Sequence, residues 1–322
     1  MMLLKFLLTL VLFWSGCSGG RDRDAPPSSR PAVKIPATVP KFDAQNAFRY
    51  LTAQVDFGPR VSGTKAHDLC RDFLAREMGK SAVAVNLQPF TIRGYDGKAL
   101  KYTNIISSFN LKATTRILLL AHWDSRPWAD EEADSSLHSR PVPGANDGAS
   151  GIAVLLEIAR HLKYTPPAVG VDILFTDGED YGRHIDPDGF LHGARYFASH
   201  LPPGYRPAFG ILLDMIGDAQ LELPREQHSV DFAPDIVDLV WSTASRLGFT
   251  QFVNTAQGRV TDDHLPLNAA GIRTINLIDF DYPDQTNRYW HTLQDTPDKC
   301  SPESLEAVGT VLLTVVYEYP VP

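Results

Sequence analysis

At 322 residues, 43% of them hydrophobic and 21% charged, the chain is long enough to bury a sizeable core, and its composition excludes a wholly disordered chain, a collagen-like repeat and a coiled coil. The formal charge of −8, from 30 Lys+Arg against 38 Asp+Glu, argues against an electrostatic nucleic-acid footprint, so no DNA or RNA partner is expected. Three cysteines, at 17, 70 and 300, exclude a disulfide scaffold and share no metal-ligand spacing, so any metal must be held by His and carboxylates.

Residues 1–16 place Lys5 beside an apolar run of signal-peptide length, too short to span a bilayer comfortably. Ser15-Gly16-Cys17 then resembles the lipobox of bacterial lipoproteins, with Trp14 where that motif usually has Leu. Export and a lipid anchor at Cys17 in a membrane facing the periplasm are expected. Residues 17–41, with Pro26, Pro27, Pro31, Pro36 and Pro40, read as an extended tether, and 42–322 as one catalytic domain.

Helical periodicity appears over 43–54 and 65–79. The period then changes: 82–92 and 103–109 alternate like half-exposed strands, while 116–121 is a continuous apolar run like a buried central one. A helix over 148–163, a strand over 171–175, a helix over 190–200, a strand over 210–215, a helix over 233–247, a strand over 273–278 and a helix over 302–318 follow. Strands alternating with helices predict an α/β fold, a three-layer αβα sandwich around a central mixed, mostly parallel sheet. In such sheets ligands bind at the carboxyl ends of the strands.

Polar residues gather where that rule points. The strand 116–121 runs into His122-Trp123-Asp124, 171–175 into Asp177-Gly178-Glu179-Asp180, and the next strand into Asp214. Asn146-Asp147-Gly148 opens the helix at 148, and Trp290-His291-Thr292 follows the strand 273–278. Taken singly these are ordinary: Asp147 reads as an N-cap, Glu179-Asp180 as a solvated turn, His291 as a satisfied histidine. Converging carboxylates repel one another unless a divalent cation neutralises them, and His with Asp and no Cys points first to Zn²⁺.

As a set, His122-x-Asp124, Gly144-Ala-Asn-Asp147-Gly-Ala-Ser-Gly151, Asp177-Gly-Glu179-Asp180, Leu213-Asp214-Met-Ile-Gly217 and Tyr289-Trp-His291-Thr resemble, in order and spacing, the zinc aminopeptidase superfamily that includes the glutaminyl-peptide cyclotransferases. Phe57-Gly-Pro-Arg60-Val-Ser-Gly63 resembles a stretch near the superfamily's start, and the resemblance runs over about 43–320. Thr261-Asp262-Asp263-His264 and Trp290 are similar to the cyclase branch, where the aminopeptidases generally have Ser-Asp-His in place of Asp-Asp-His. The resemblance implies that Asp147, Asp180 and His291 hold one zinc, that Glu179 is the general acid/base with Asp214 and Asp262 as its hydrogen-bonded carboxylate network, and that Trp290 walls the substrate pocket. Asp180 is shorter than the Glu common at that position in the animal enzymes.

The expected activity is conversion of N-terminal Gln of peptides or proteins to pyroglutamate with release of ammonia, by a monomer that meets the membrane through its lipid anchor only. The rival is a dizinc exopeptidase in which His122 and Asp214 complete a second site, and a third reading is a metal-free binding protein. Zinc content separates them as one, two or none per chain. Trp123 and Phe280 are expected to be core packing, the acidic stretch 129–139 a solvated insertion, and Cys70 and Cys300 either a disulfide or buried thiols.

Overall fold

Three consecutive strands are apolar on both faces, and this decides the architecture. The computed structural model describes residues 39–183 and 187–321, which fall in one compact unit. The signal segment, Cys17 and the tether up to residue 38 lie outside the described residues. In chain order the elements are α1 (Ala44–Val55), α2 (Lys65–Gly79), β1 (Ala84–Arg93), β2 (Ala99–Phe109), β3 (Arg116–His122), α3 (Ala149–Tyr164), β4 (Gly170–Thr176), α4 (His192–Ser199) and β5 (Phe209–Asp214). They continue with β6 (Leu223–Glu226), α5 (Gln227–Phe232), α6 (Pro234–Leu247), β7 (Phe252–Gln257), α7 (His264–Ala269), β8 (Thr274–Ile278) and α8 (Pro302–Glu318).

The main sheet has six strands in the order β1-β2-β4-β3-β5-β8. The β4-β3-β5-β8 part is parallel, and β2 and β1 are added antiparallel at one edge. Alternation along β3 sorts the two cores. Ile117, Leu119 and Ala121 point into the larger one with residues of α1, α2, α3, α6 and α8, while Leu118 and Leu120 meet Phe197 of α4 and Leu267 of α7 on the other face. Burial on both faces is why β3, β4 and β5 carry almost no polar residue before their last positions. The three-layer mixed sheet expected from the strand–helix alternation is thus the one observed.

Four elements were hidden from periodicity. β6 and β7 form a separate two-stranded parallel sheet, and α5 and α7 have six residues each. α5 is set by a local device: the Glu226 carboxylate accepts from the backbone N–H of His228 and Ser229 at 2.8 and 2.7 Å. The domain also begins earlier than residue 42, because Val39 is 6% exposed and packs in the larger core beside Phe42. Cys70 and Cys300 are free, buried thiols. No helix among the described residues is long and apolar enough to cross a membrane.

Glu157 in α3 ties α1 to this core. Its buried carboxylate accepts from Asn46 Nδ2 at 2.6 Å and Arg160 Nη2 at 2.6 Å, and faces His161 Nε2 at 2.8 Å. Burial opposes ionisation, but these donors outweigh it and hold the carboxyl at about 2. A depressed carboxyl contributes stability that is complete above its unfolded value near 4.5 and is lost as pH falls towards 2. Glu157→Gln is therefore expected to remove about 3 kcal/mol at neutral pH and progressively less below pH 4, read by urea denaturation across that range.

Candidate functional site

His122 and Asp214 end β3 and β5, Glu179 and Asp180 follow β4, Trp290 and His291 follow β8, Asp147 precedes α3 and Asp262 precedes α7. The turn before α3 is fixed first. Arg60 is fully buried, and its guanidinium donates to the carbonyls of Trp123, Pro143 and Gly144 at 3.0, 2.5 and 2.6 Å, joining the end of β3 to that turn. The Phe57–Gly63 stretch is thus a strut rather than a ligand segment. Arg60→Met would orphan these carbonyls and is expected to destabilise by about 3 kcal/mol, measured by chemical denaturation.

Asp147 does not cap α3. Gly148 occupies the cap position with φ 99° and no side-chain cap, and a Cβ there would lie 2.4 Å from Asp124 O. The free N–H groups of Asn146 and Asp147 are taken by Asp295 Oδ1 and Oδ2 at 2.8 and 3.1 Å, and Tyr282 Oη also donates to Asp295. This releases the Asp147 carboxylate towards the site. Asp295 was missed from sequence because the N–H groups it accepts from lie 149 and 148 positions away in the chain.

Asp124 likewise works on backbone. Its two oxygens accept from the N–H of Glu179 and Asp180 at 3.1 and 3.2 Å, which fixes the turn after β4. At the start of that turn Asp177 is buried, accepts from Thr103 N at 2.6 Å and faces His67 Nε2 at 3.0 Å.

Two groups of ligand atoms result, each within 4.8 Å of one another: Asp147, Asp180 and His291, and His122, Asp147 and Asp214. His291 Nε2 lies 3.3 Å from Asp180 Oδ1 and 3.6 Å from Asp147 Oδ2. His122 Nε2 lies 3.1 Å from both Asp147 Oδ1 and Asp214 Oδ1, and its Nδ1 lies 3.6 Å from Asp124. Burial lowers the His122 pKa, but the hydrogen bonds to Asp124, Asp147 and Asp214 outweigh it and hold it well above the usual histidine value. The groups differ in what they leave unsatisfied. Asp180 Oδ2 is a buried carboxylate oxygen without a hydrogen-bond partner among the described residues, whereas in the second group His122 Nε2 bonds Asp214 Oδ1 and lies 3.1 Å from Asp147 Oδ1, and its Nδ1 is the atom without a partner. A buried carboxylate oxygen left over beside a second carboxylate and an imidazole fits a divalent cation, and this donor set suits zinc.

Above these groups is a cavity of about 530 Å³ lined by Asp147, Glu179, Asp180, Asp214, Asp262, Trp290 and His291, so the residues named from sequence meet in one place, with His122 beneath them. Trp290 stacks on His291 with ring centroids 3.7 Å apart, and Phe280 lies 5.1 Å from Trp290. Phe280 lines the cavity, a correction to its reading as packing. Trp123 is packing, fully buried and stacked on His67 at 4.4 Å.

Burial drives the Glu179 carboxyl well above its ordinary value, reinforced by the charges of Asp180, Asp262 and Asp263. The expected hydrogen-bonded network of Glu179 with Asp214 and Asp262 takes a different form. Asp214 bonds His122, while Asp262 accepts from Asn276 Nδ2 at 2.7 Å and from Asp263 N at 2.6 Å. Asp262, pushed by burial and by Asp214 to about 7, acts on Glu179 as a charge. Asp263, which had no role from sequence, is buried at about 8 and accepts from Thr176 Oγ1 at 2.5 Å.

The acidic stretch 129–139 is a solvated insertion over 133–136, which are exposed, but its first residues are tied to the site. Ala129 is buried, Arg126 donates to Asp130, and Glu132 Oε1 accepts from Leu293 N at 2.9 Å. Asp130 is paired with Arg126 four residues earlier, and Glu132 meets Leu293, 161 positions away, only in the fold. His291 itself has φ 53°, a left-handed conformation that costs a non-glycine residue about 1 kcal/mol.

The comparisons agree with this geometry. The model of peptidase family M28 matches residues 104–316. The chain is similar to a Bacteroides thetaiotaomicron glutaminyl cyclase solved with N-acetylhistamine, at 41% identity, with 88% of this chain and 100% of that one covered and a TM-score of 0.83. It is equally similar to a Zn-dependent exopeptidase from Parabacteroides distasonis, at 41% identity, 87% and 99% coverage and a TM-score of 0.83. The glutaminyl-peptide cyclotransferase of Bos taurus is 26% identical over 254 residues, 68% of this chain and 66% of that protein, so the chain spans just under two thirds of that relative's length. The α/β layers, the carboxylate-rich strand ends and the matched stretch from β2 to α8 converge on one conclusion: the chain belongs to peptidase family M28.

Proposed function

We propose that this chain is a zinc-dependent glutaminyl-peptide cyclotransferase, acting on peptides and proteins with N-terminal Gln. The observation that carries it is the asymmetry of the two donor groups. Asp147, Asp180 and His291 leave a buried carboxylate oxygen, Asp180 Oδ2, without a partner among the described residues, while in the other group His122 Nε2 bonds Asp214 and the unpartnered atom is the imidazole Nδ1, which lies 3.6 Å from Asp124, and this favours one metal over two. The 41% identity to a glutaminyl cyclase over most of the chain supports the same reading.

Zinc held by Asp147, Asp180 and His291 would supply Lewis acidity to the γ-amide oxygen of the substrate. The chain supplies the rest. Trp290 and Phe280 wall the pocket so that the Gln side chain stays folded, with its α-nitrogen against its own γ-carbonyl carbon. With the extra proton of the α-ammonium group lost to solvent, Glu179, raised towards neutrality, takes a proton from the resulting α-amine as the new C–N bond forms. It returns the proton to the γ-nitrogen, which leaves as ammonia when its bond to carbon breaks. Asp262 keeps the Glu179 proton affinity high through its charge.

The test is mass spectrometry of a Gln-initiated and a matching Leu-initiated peptide incubated with the zinc-loaded protein. Loss of ammonia from the first with the second intact is the expected result. Release of the first residue instead would establish the dizinc exopeptidase, a reading that the His122, Asp147 and Asp214 group keeps in play. We also propose export and lipidation at Cys17, and Cys17→Ala is expected to abolish membrane partitioning.

A further inference from the structure

The reaction described above leaves the segment from Asp130 to Glu132 without a task, yet that segment grips the chain around His291. Glu131 N donates to His291 O at 3.4 Å, Leu293 N donates to Glu132 Oε1 at 2.9 Å, and Asp130 Oδ1 lies 3.7 Å from His291 Nδ1. Between these contacts the His291 backbone is left-handed. Such a conformation at a non-glycine residue persists where the surroundings over-determine it.

Asp130 is itself held. Arg126 Nε and Nη2 donate to its two oxygens at 2.6 and 2.5 Å, and Arg126 Nη1 donates to Asp180 Oδ1 at 3.0 Å and Asp180 O at 3.1 Å. The Arg126 side chain is fully buried, with the Trp128 and Phe190 rings 5.7 and 5.6 Å from its guanidinium carbon. One cation thus fixes both a carboxylate of the Asp147, Asp180 and His291 group and the carboxylate facing His291. An imidazole that ligates through one nitrogen needs an acceptor at the other to fix its tautomer and ring orientation. His291 Nδ1 is buried without a hydrogen-bond partner among the described residues, and Asp130, 3.7 Å away, is the carboxylate paired with it.

We propose that Asp130 and Glu132, anchored by Arg126, are positioning residues that hold His291 in its left-handed conformation and present its Nε2 towards Asp147 and Asp180. The inference rests on the reading that this group holds a metal ion. It concerns metal affinity rather than the reaction, so the two can fail separately.

The experiment compares wild type, Asp130→Ala, Glu132→Ala and Glu132→Gln as full chains. Zinc affinity is measured by competition with a chromophoric chelator, and melting temperature is measured without metal. Asp130→Ala and Glu132→Ala are expected to bind zinc about 10–100-fold more weakly with the metal-free melting temperature unchanged. Glu132→Gln, whose amide oxygen can still accept the Leu293 N–H, is expected to stay close to wild type. Equal affinity in all four proteins would overturn the proposal, as would a loss of affinity matched by a loss of metal-free stability or one that Glu132→Gln fails to restore. A wild-type chain that binds no zinc would remove the metal reading itself.

Discussion

Replacing Glu179 by Gln is expected to lower kcat/KM for ammonia release by about 10²–10⁴-fold while leaving zinc content at the wild-type level. The substitution preserves volume and removes only the ability to exchange a proton. Three features of the site make this group suited to that exchange. Its backbone N–H is tied to Asp124, so the side chain starts from a fixed point. It lines the cavity beside Asp147, Asp180 and His291. Burial and the charges of Asp180, Asp262 and Asp263 raise its proton affinity, which brings it towards the working pH. An activity drop below tenfold, or zinc lost in parallel, would take Glu179 out of the proton-transfer role.

Asp147→Asn is expected to weaken zinc binding by about 100-fold or more and to remove activity with it, because Asp147 belongs to both donor groups. Apparent zinc-finger affinities of about 10–16 kcal/mol spread over four donors put the loss of one donor at roughly 3 kcal/mol, the origin of that factor. His122→Ala is the informative partner. With one metal per chain it should leave zinc stoichiometry at one, whereas with two metals it should lower it from two, and metal analysis of the purified variants decides between them. Asp147→Asn with unchanged zinc content would show that the metal is held elsewhere.

Much of the fold was legible because it is written in local patterns. The continuous apolar runs that became β3, β4 and β5 can only be covered on both faces, and the 3.6-residue periodicity of α1, α2, α6 and α8 needs no partner to be recognised. The short elements β6, α5 and α7 were not legible, since fewer than two turns, or four strand residues with a proline, carry no periodicity. The site residues were readable as polar interruptions at strand ends, where the core offers no reason for them.

Residue types and order by themselves determined the layered α/β class and the convergence of Glu179, Asp180 and Asp214 on one edge of the sheet, because a polar residue at or just after the end of a buried strand has that edge to occupy, and the loops before α3 and after β8 bring Asp147 and His291 to the same edge. Only the tertiary structure decided which carboxylates are free to act. Asp124 and Asp295 spend their oxygens on backbone N–H groups, Asp262 answers to Asn276, and Asp130 is neutralised by Arg126, while Asp180 keeps one oxygen unpartnered among the described residues. Most of these hydrogen-bond partners come from segments far apart in the chain, 149 positions for Asn146 and Asp295, so no local pattern can assign them.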